Sequence, residues 1–141
     1  MTSSSTNALC NTANGSLSFN ATGGTGIINY TVNGIPQVSP LATVAGTYTV
    51  VATDANACSL SSVLVITEPS AITLTASATN ALCNAANGSL TFGAIGGTGA
   101  ISFAVNGNAQ TSPFVTGAGT YTIVATDANL CTTSTDRKSV V

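Results

Sequence analysis

Gly46-Thr47-Tyr48-Thr49-Val50-Val51-Ala52-Thr53-Asp54-Ala55-Asn56-Ala57-Cys58 is the stretch that decides how this chain folds. It returns as Gly119-Thr120-Tyr121-Thr122-Ile123-Val124-Ala125-Thr126-Asp127-Ala128-Asn129-Leu130-Cys131. In the first copy Tyr48, Val50 and Ala52 alternate with Thr47, Thr49, Val51 and Thr53. A period of two in β-branched and aromatic residues predicts a half-buried strand. Asp-Ala-Asn then supplies turn chemistry, because an Asx side chain can cap the backbone two residues on. A cysteine follows each turn.

Working outward, Thr6 to Cys58 aligns without a gap on Thr79 to Cys131, and 37 of those 53 positions are identical. Such similarity implies recent duplication and predicts a tandem array. The boundary falls at Glu68-Pro69, a short linker, so residues 1–68 form one repeat and 69–141 the next. Within each copy, turns are expected at Asn14-Gly15, Gly23-Gly24-Thr25-Gly26 and Asn33-Gly34, and at their counterparts Asn87-Gly88, the Gly96–Gly99 stretch and Asn106-Gly107. Between them run alternating strands, one with Leu17, Phe19 and Ala21 inward and the next with Ile28, Tyr30 and Val32 inward. A single shorter strand through Val38 toward Leu41, broken by Pro40, is expected at an edge. Leu60 to Thr67 forms the last strand of the first copy, and Ile72 to Ala76 the first strand of the second. No segment has a helical period. Six or so short strands per copy predict an all-β chain of two tandem immunoglobulin-like antiparallel β-sandwich repeats.

Each repeat has about 70 residues, near the size at which one core barely suffices. Four cysteines, Cys10, Cys58, Cys83 and Cys131, permit three pairings. Duplication favours Cys10–Cys58 and Cys83–Cys131, since identical folds should make identical bonds. A count of four strands between Cys10 and Cys58 places both at one pole and agrees. Such a bridge would contribute roughly 4 kcal/mol on a chain-entropy account. Reduced, buried thiols are the alternative. Two cysteines per copy, without CxxC or histidine, do not make a zinc site.

Composition excludes several function classes. Only 4% of the 141 residues are charged, the formal net charge is −2, and histidine is absent. Two basic residues, Arg137 and Lys138, cannot form a nucleic-acid footprint. No apolar run reaches the roughly 18 residues of a membrane helix. The opening Met1-Thr2-Ser3-Ser4-Ser5 does not read as a signal peptide, so a secreted protein would be represented here by its mature chain or by an excised fragment. The acidic residues are Asp54, Glu68, Asp127 and Asp136. Asp54 and Asp127 occupy equivalent turns and read as caps, Glu68 as a linker residue, and Tyr48 and Tyr121 as packing at a strand start. Nothing in the sequence suggests a metal, including Ca²⁺, or a cofactor, and no base is at hand to activate a serine or threonine. No enzymatic activity is expected. Asn14, Asn20, Asn29 and Asn87 each begin an Asn-x-Ser/Thr sequon. They are candidate glycosylation sites, although turn and surface roles explain them as well.

In this order, the motifs resemble the SprB repeat family of long surface adhesins of gliding bacteria. The resemblance is carried by Cys10-Asn11, Asn14-Gly15-Ser16, Gly23-Gly24-Thr25-Gly26, Asn33-Gly34, Ala45 through Val50, Thr53 through Cys58 and Val65-Ile66-Thr67-Glu68-Pro69. The second copy follows the same pattern up to Cys131. The chain departs from the family at Ile27-Ile28, where Pro-Tyr is common, at Val32, where tryptophan is common, and at Ala57 and Leu130, where glycine is favoured. The resemblance implies secretion, a tandem array and a cell-surface fibre. A structural stalk or filament is therefore expected. The alternatives are a module that binds glycans or ice through threonine faces such as Thr47-Thr49 and Thr120-Thr122, and an accessory domain of a secreted enzyme.

The terminal strands look defective. Val63-Leu64-Val65-Ile66 is replaced at the matching offset by Asp136-Arg137-Lys138-Ser139, and the first copy has no counterpart of Ile72-Thr73-Leu74-Thr75. Missing edge strands would favour end-to-end polymerisation of identical chains, with Met1 to Thr6 or Thr132 to Val141 lying on a neighbour; a boundary cut through a longer array would leave the same gaps.

Overall fold

A computed structural model describes residues 1–10, 14–83 and 85–139. Asn11 and Asn84 of the shared motif, and Val140-Val141 of the terminal segment, lie outside them. The chain divides into two compact units, Met1–Pro69 and Ser70–Val141.

In the first unit the strands are β1 (Thr2–Thr6), β2 (Gly15–Asn20), β3 (Asn29–Val32), β4 (Ile35–Pro36), β5 (Leu41–Thr43), β6 (Gly46–Thr53) and β7 (Ser59–Ile66). They form two antiparallel sheets, β1-β2-β5 and β4-β3-β6-β7. The second unit repeats this with β8 (Thr73–Thr79), β9 (Gly88–Ile95), β10 (Ser102–Val105), β11 (Asn108–Ala109), β12 (Phe114–Thr116), β13 (Gly119–Thr126) and β14 (Thr132–Ser139). Its sheets are β12-β9-β8 and β11-β10-β13-β14. The all-β sandwich expected from the alternation is what forms.

The two faces of β6 behave as its alternation requires. Val50 and Ala52 are buried and Tyr48 is half-buried, whereas Thr47 and Thr49 are exposed. Leu17, Phe19, Val32, Val50, Ala8 and Ile66 make the first core, with Tyr30 tilted against Phe19 at 5.2 Å between ring centroids. Leu90, Phe92, Val105 and Ile123 make the second. The Asn33-Gly34 turn has φ of 50° and 81°, and Asn106-Gly107 has 48° and 82°. Both central residues lie at positive φ, as a tight hairpin between β3 and β4 demands.

Asn14-Gly15 is not such a turn. Gly15 opens β2, and Asn14 Oδ1 accepts the Leu9 N–H at 3.0 Å. A Cβ on Gly15 would come within 2.7 Å of Ile66 Cγ2, so glycine stands there to admit the core isoleucine.

Where one short strand was expected, residues 35–43 hold two that belong to different sheets. β4 pairs with β3, and β5 pairs with β2. This change of sheet alters the cysteine topology. Past Cys10 the chain takes five strand passes, not four, before Cys58. Strand β1 runs beside β7 in the same direction: Ser3 Oγ meets Ser62 Oγ at 2.9 Å, Ser5 Oγ donates to Val65 O, and Thr67 N donates to Asn7 Oδ1. Cys10 therefore follows the end of the sandwich at Thr67, while Cys58 precedes Ser59 at the opposite end. The eight residues of β7 separate them by roughly 26 Å at about 3.3 Å per residue. A disulfide needs Cα atoms within about 7 Å.

The terminal edge strands are not missing. β1 pairs with β2 over five residues, and β14 pairs with β13 over eight. Pleating resolves the charged run, because Asp136 and Lys138 face solvent and only Arg137 turns inward. Arg137 faces Tyr121 across the ladder as Leu64 faces Tyr48 in the first unit. Its stem takes the place of the leucine, and its Nε donates to Ala76 O of β8 at 2.7 Å. In the first unit Ser3 and Ser5 turn inward on β1, and the hydrogen bonds to β7 satisfy their hydroxyls.

Candidate functional site

The candidate residues gather at the two ends of each sandwich. At one end of the first unit the turn after β6 meets the glycine turn before β3. Asp54 Oδ1 accepts N–H bonds from Asn56 and Cys58, each at 2.9 Å, while Oδ2 accepts from Thr25 at 2.8 Å. Backbone bonds from Ala55 N to Thr25 O and from Asp54 N to Cys58 O close the same knot. Gly24, at φ 73°, lies so near that a Cβ would sit 3.0 Å from Asp54 Oδ2. Asp127 repeats the arrangement with Thr98, Asn129 and Cys131.

The N–H bonds set the protonation of both carboxyls. For Asp54 the donors Thr25 and Cys58, helped by Asn56, outweigh slight desolvation and hold the carboxyl below its ordinary range. For Asp127 burial works against the charge, but Thr98, Cys131 and Asn129 prevail and the pKa is again lowered. Each carboxylate thus spends its lone pairs on backbone donors. Among the described residues no three His, Cys, Asp or Glu side chains come together in a way that could hold a metal.

Tyr48 Oη donates to Val44 O at 2.8 Å and meets Thr43 Oγ1 at 2.7 Å. Tyr121 Oη likewise donates to Gly117 O at 3.1 Å. Both tyrosines lock the bend into their strands.

The cysteines depart from the expected pattern. Cys10 and Cys131 are disulfide-bonded, whereas Cys58 and Cys83 are exposed free thiols. Neither Cys10–Cys58 nor Cys83–Cys131 is formed, for the topological reason given above. Each unit thus keeps one bonded and one free cysteine, at opposite ends. Beside Cys58 lies a cavity of about 170 Å³ walled by Met1, Ile28, Ala52 and Leu60.

The four sequon asparagines Asn14, Asn20, Asn29 and Asn87 are all exposed. Asn87 Oδ1 accepts from Leu82 N at 2.7 Å, as Asn14 does from Leu9. Thr47 and Thr49 pair across the sheet with Val65 and Val63, making an exposed threonine-valine face. In the second unit Thr120 and Thr122 instead face Lys138 and Asp136, and Thr122 Oγ1 donates to Asp136 Oδ1 at 2.8 Å. Among the described residues no helix is long and apolar enough to cross a membrane.

Sequence reasoning missed the tie from Asp54 to Thr25, which spans 29 residues. The available signal was the joint recurrence of Gly-Gly-Thr-Gly and Asp-Ala-Asn in both copies.

No curated protein matches the chain. The SprB repeat family model matches residues 2–36, which run from β1 through β4. Over those residues the first unit is similar to a SprB repeat, and the resemblance read from the ordered motifs rests there on a direct family match.

Proposed function

We propose that this chain is a structural segment of an extracellular, cell-surface adhesin stalk or filament built from tandem β-sandwiches. The observation that carries it is repetition: two successive units share one strand order, one register and one set of turn ties. The sparse charge and the use of Asp54 and Asp127 as backbone anchors support a structural role over a catalytic one. Low charge leaves solubility to hydroxyls and amides. Glycans on the exposed Asn14, Asn20, Asn29 or Asn87 would add to it. The partner in this reading is a further copy of the same chain, not a nucleic acid.

Negative-stain electron microscopy of the purified chain tests the filament. Fibres with an axial repeat set by one chain are expected; particles that stay single at every concentration would sink the reading.

A second reading is an adhesive module that binds surface glycans. The exposed face of Thr47, Thr49, Val63 and Val65 favours it, since a flat row of hydroxyls and methyls suits sugar rings. Binding on a glycan array, lost when Thr49 is changed to Lys, would support it, and a blank array would remove it.

A further inference from the structure

We propose that the first unit carries a docking site for an extended peptide segment of the Ser-Ala-Ile kind, the link that leads into a further repeat. This deepens the stalk reading and rests on its tandem repeats. The second unit shows the site filled by its own entry segment. Gly97 N donates to Ser70 O at 2.8 Å. A Cβ on Gly97 would lie 2.9 Å from Ile72 Cγ1, and one on Gly96 would run into Ala71 O. The two glycines thus make a bare cradle against which residues 70–72 lie. Strand β8 follows, with Leu74 packed on the second core.

At the repeat offset Gly23 and Gly24 are the counterparts of Gly96 and Gly97, and Met1 is the counterpart of Leu74. Met1 packs on the first core as Leu74 does on the second. The cradle beside it is open. Among the described residues nothing lies within 4 Å of a Cβ on Gly23, and one on Gly24 would meet Asp54 first. Nor does the Gly24 N–H make a bond like that of Gly97 among those residues.

The open space is the cavity of about 170 Å³, with both glycines, Met1, Ile28, Ala52 and Leu60 in its wall. Leu60 pairs with the buried Ala52 and so stands on the core side of β7, yet it is 57% exposed. Its counterpart is Thr133, so the first unit offers an incoming isoleucine the more apolar wall. An isoleucine placed as Ile72 is placed beside Gly97 would fill the cavity and cover Leu60. The carbonyl two residues earlier would take the Gly24 N–H. One main-chain bond and one apolar pocket are the elements by which an extended peptide is recognised at a sheet end.

The test follows the backbone amide resonances of the full chain by NMR. An amidated peptide with the sequence of residues 68–72, Glu-Pro-Ser-Ala-Ile, is added to millimolar concentration. Gly24 and Leu60 should shift, and Gly97, whose site is filled by its own chain, should not. A peptide carrying Ile72→Asp should bind about tenfold more weakly or worse, because it cannot cover the apolar wall. In a second chain, Ser-Ala-Ile-Thr set directly before Met1 should raise the melting temperature by several degrees and slow hydrogen exchange at Gly24. Unmoved Gly24 and Leu60 resonances overturn the proposal. Equal shifts with the Asp peptide, or an extended chain that melts no higher, do the same. Microscopy separates the two ideas: fibres without peptide shifts would leave the filament and remove the site, and peptide shifts without fibres would do the reverse.

Discussion

Asp54 Oδ2 accepts the Thr25 N–H at 2.8 Å, joining two turns that lie 29 residues apart. Asp54→Asn keeps one acceptor oxygen and replaces the other with a donor, so the bond to Thr25 or the pair to Asn56 and Cys58 must be lost. The expected result is a melting temperature several degrees lower, with the far-ultraviolet β signal unchanged. The double variant Asp54→Asn/Asp127→Asn should add the two effects, because the knots share no partners. An unchanged melt would mean that water replaces the carboxylate without loss.

The same bonds give stability a pH dependence of definite sign. Both aspartates have folded pKa values below the unfolded value of about 3.9. Their contribution is fully present above that value and is lost as pH falls through the folded pKa. With no histidine in the chain, stability should stay flat from pH 7 to about pH 5 and drop below about pH 4. Denaturant midpoints across that range check it. In the double Asn variant the acid drop should shrink, and a drop of equal size would place its origin elsewhere.

Leu17 and Leu90 are fully buried counterparts at the centres of the two cores. Either substitution to Ala should cost about 2–5 kcal/mol, a large share of the stability of a unit this small. Chemical denaturation measures it, and a loss under 1 kcal/mol would mean that the cores are loosely packed.

What was legible in the sequence was whatever repeats at short range. The alternation of Tyr48, Val50 and Ala52 against Thr47 and Thr49 sets which face of β6 is inward, and Asn33-Gly34 announces its own turn. What escaped has no local signature. β4 is only Ile35–Pro36, too short for a period, so its separation from β5 across Ser39-Pro40 was invisible. There Ser39 Oγ accepts the Phe19 N–H at 2.9 Å. That one extra strand pass reversed the end of the sandwich at which Cys58 lies. Asp136-Arg137-Lys138 reads as unfit for a core for a related reason: the run is charged throughout, whereas a pleat turns only every second residue inward.

Arg137→Ala removes both the aliphatic cover over the second core and the donor to Ala76 O. A loss of about 1–2 kcal/mol is expected. Arg137→Leu recreates the Leu64 arrangement of the first unit and should recover part of it, leaving Ala76 O without the guanidinium. Equal stability of wild type and the Ala variant would show that Arg137 is only a solvated charge.

Native chains should present two thiols, Cys58 and Cys83, to a chromogenic disulfide reagent, and four after reduction in denaturant. No reactive thiol in the native, monomeric chain would mean that each unit closes its own bridge after all.

Ala57 and Leu130 precede Cys58 and Cys131 at φ of 65° and 64°. A side chain in this left-handed region crowds the following carbonyl, at roughly 1–2 kcal/mol per residue. The turn imposes the geometry: Ala57 N donates to Asp54 O, and Cys58 N must swing back to Asp54 Oδ1. Leu130, 80% exposed, gains almost nothing from burial in return. Glycine would relieve the crowding but adds freedom to the unfolded chain, which takes back part of the gain. Leu130→Gly should therefore stabilise the protein by a net ~0.5–1 kcal/mol, with Ala57→Gly toward the lower end because its methyl crowds less. Leu130→Val should destabilise, since branching at Cβ worsens the same clash. Thermal melts of the three variants decide the matter: stabilisation by Val, or a loss on introducing Gly at either site, would show that the turn does not hold these residues at positive φ.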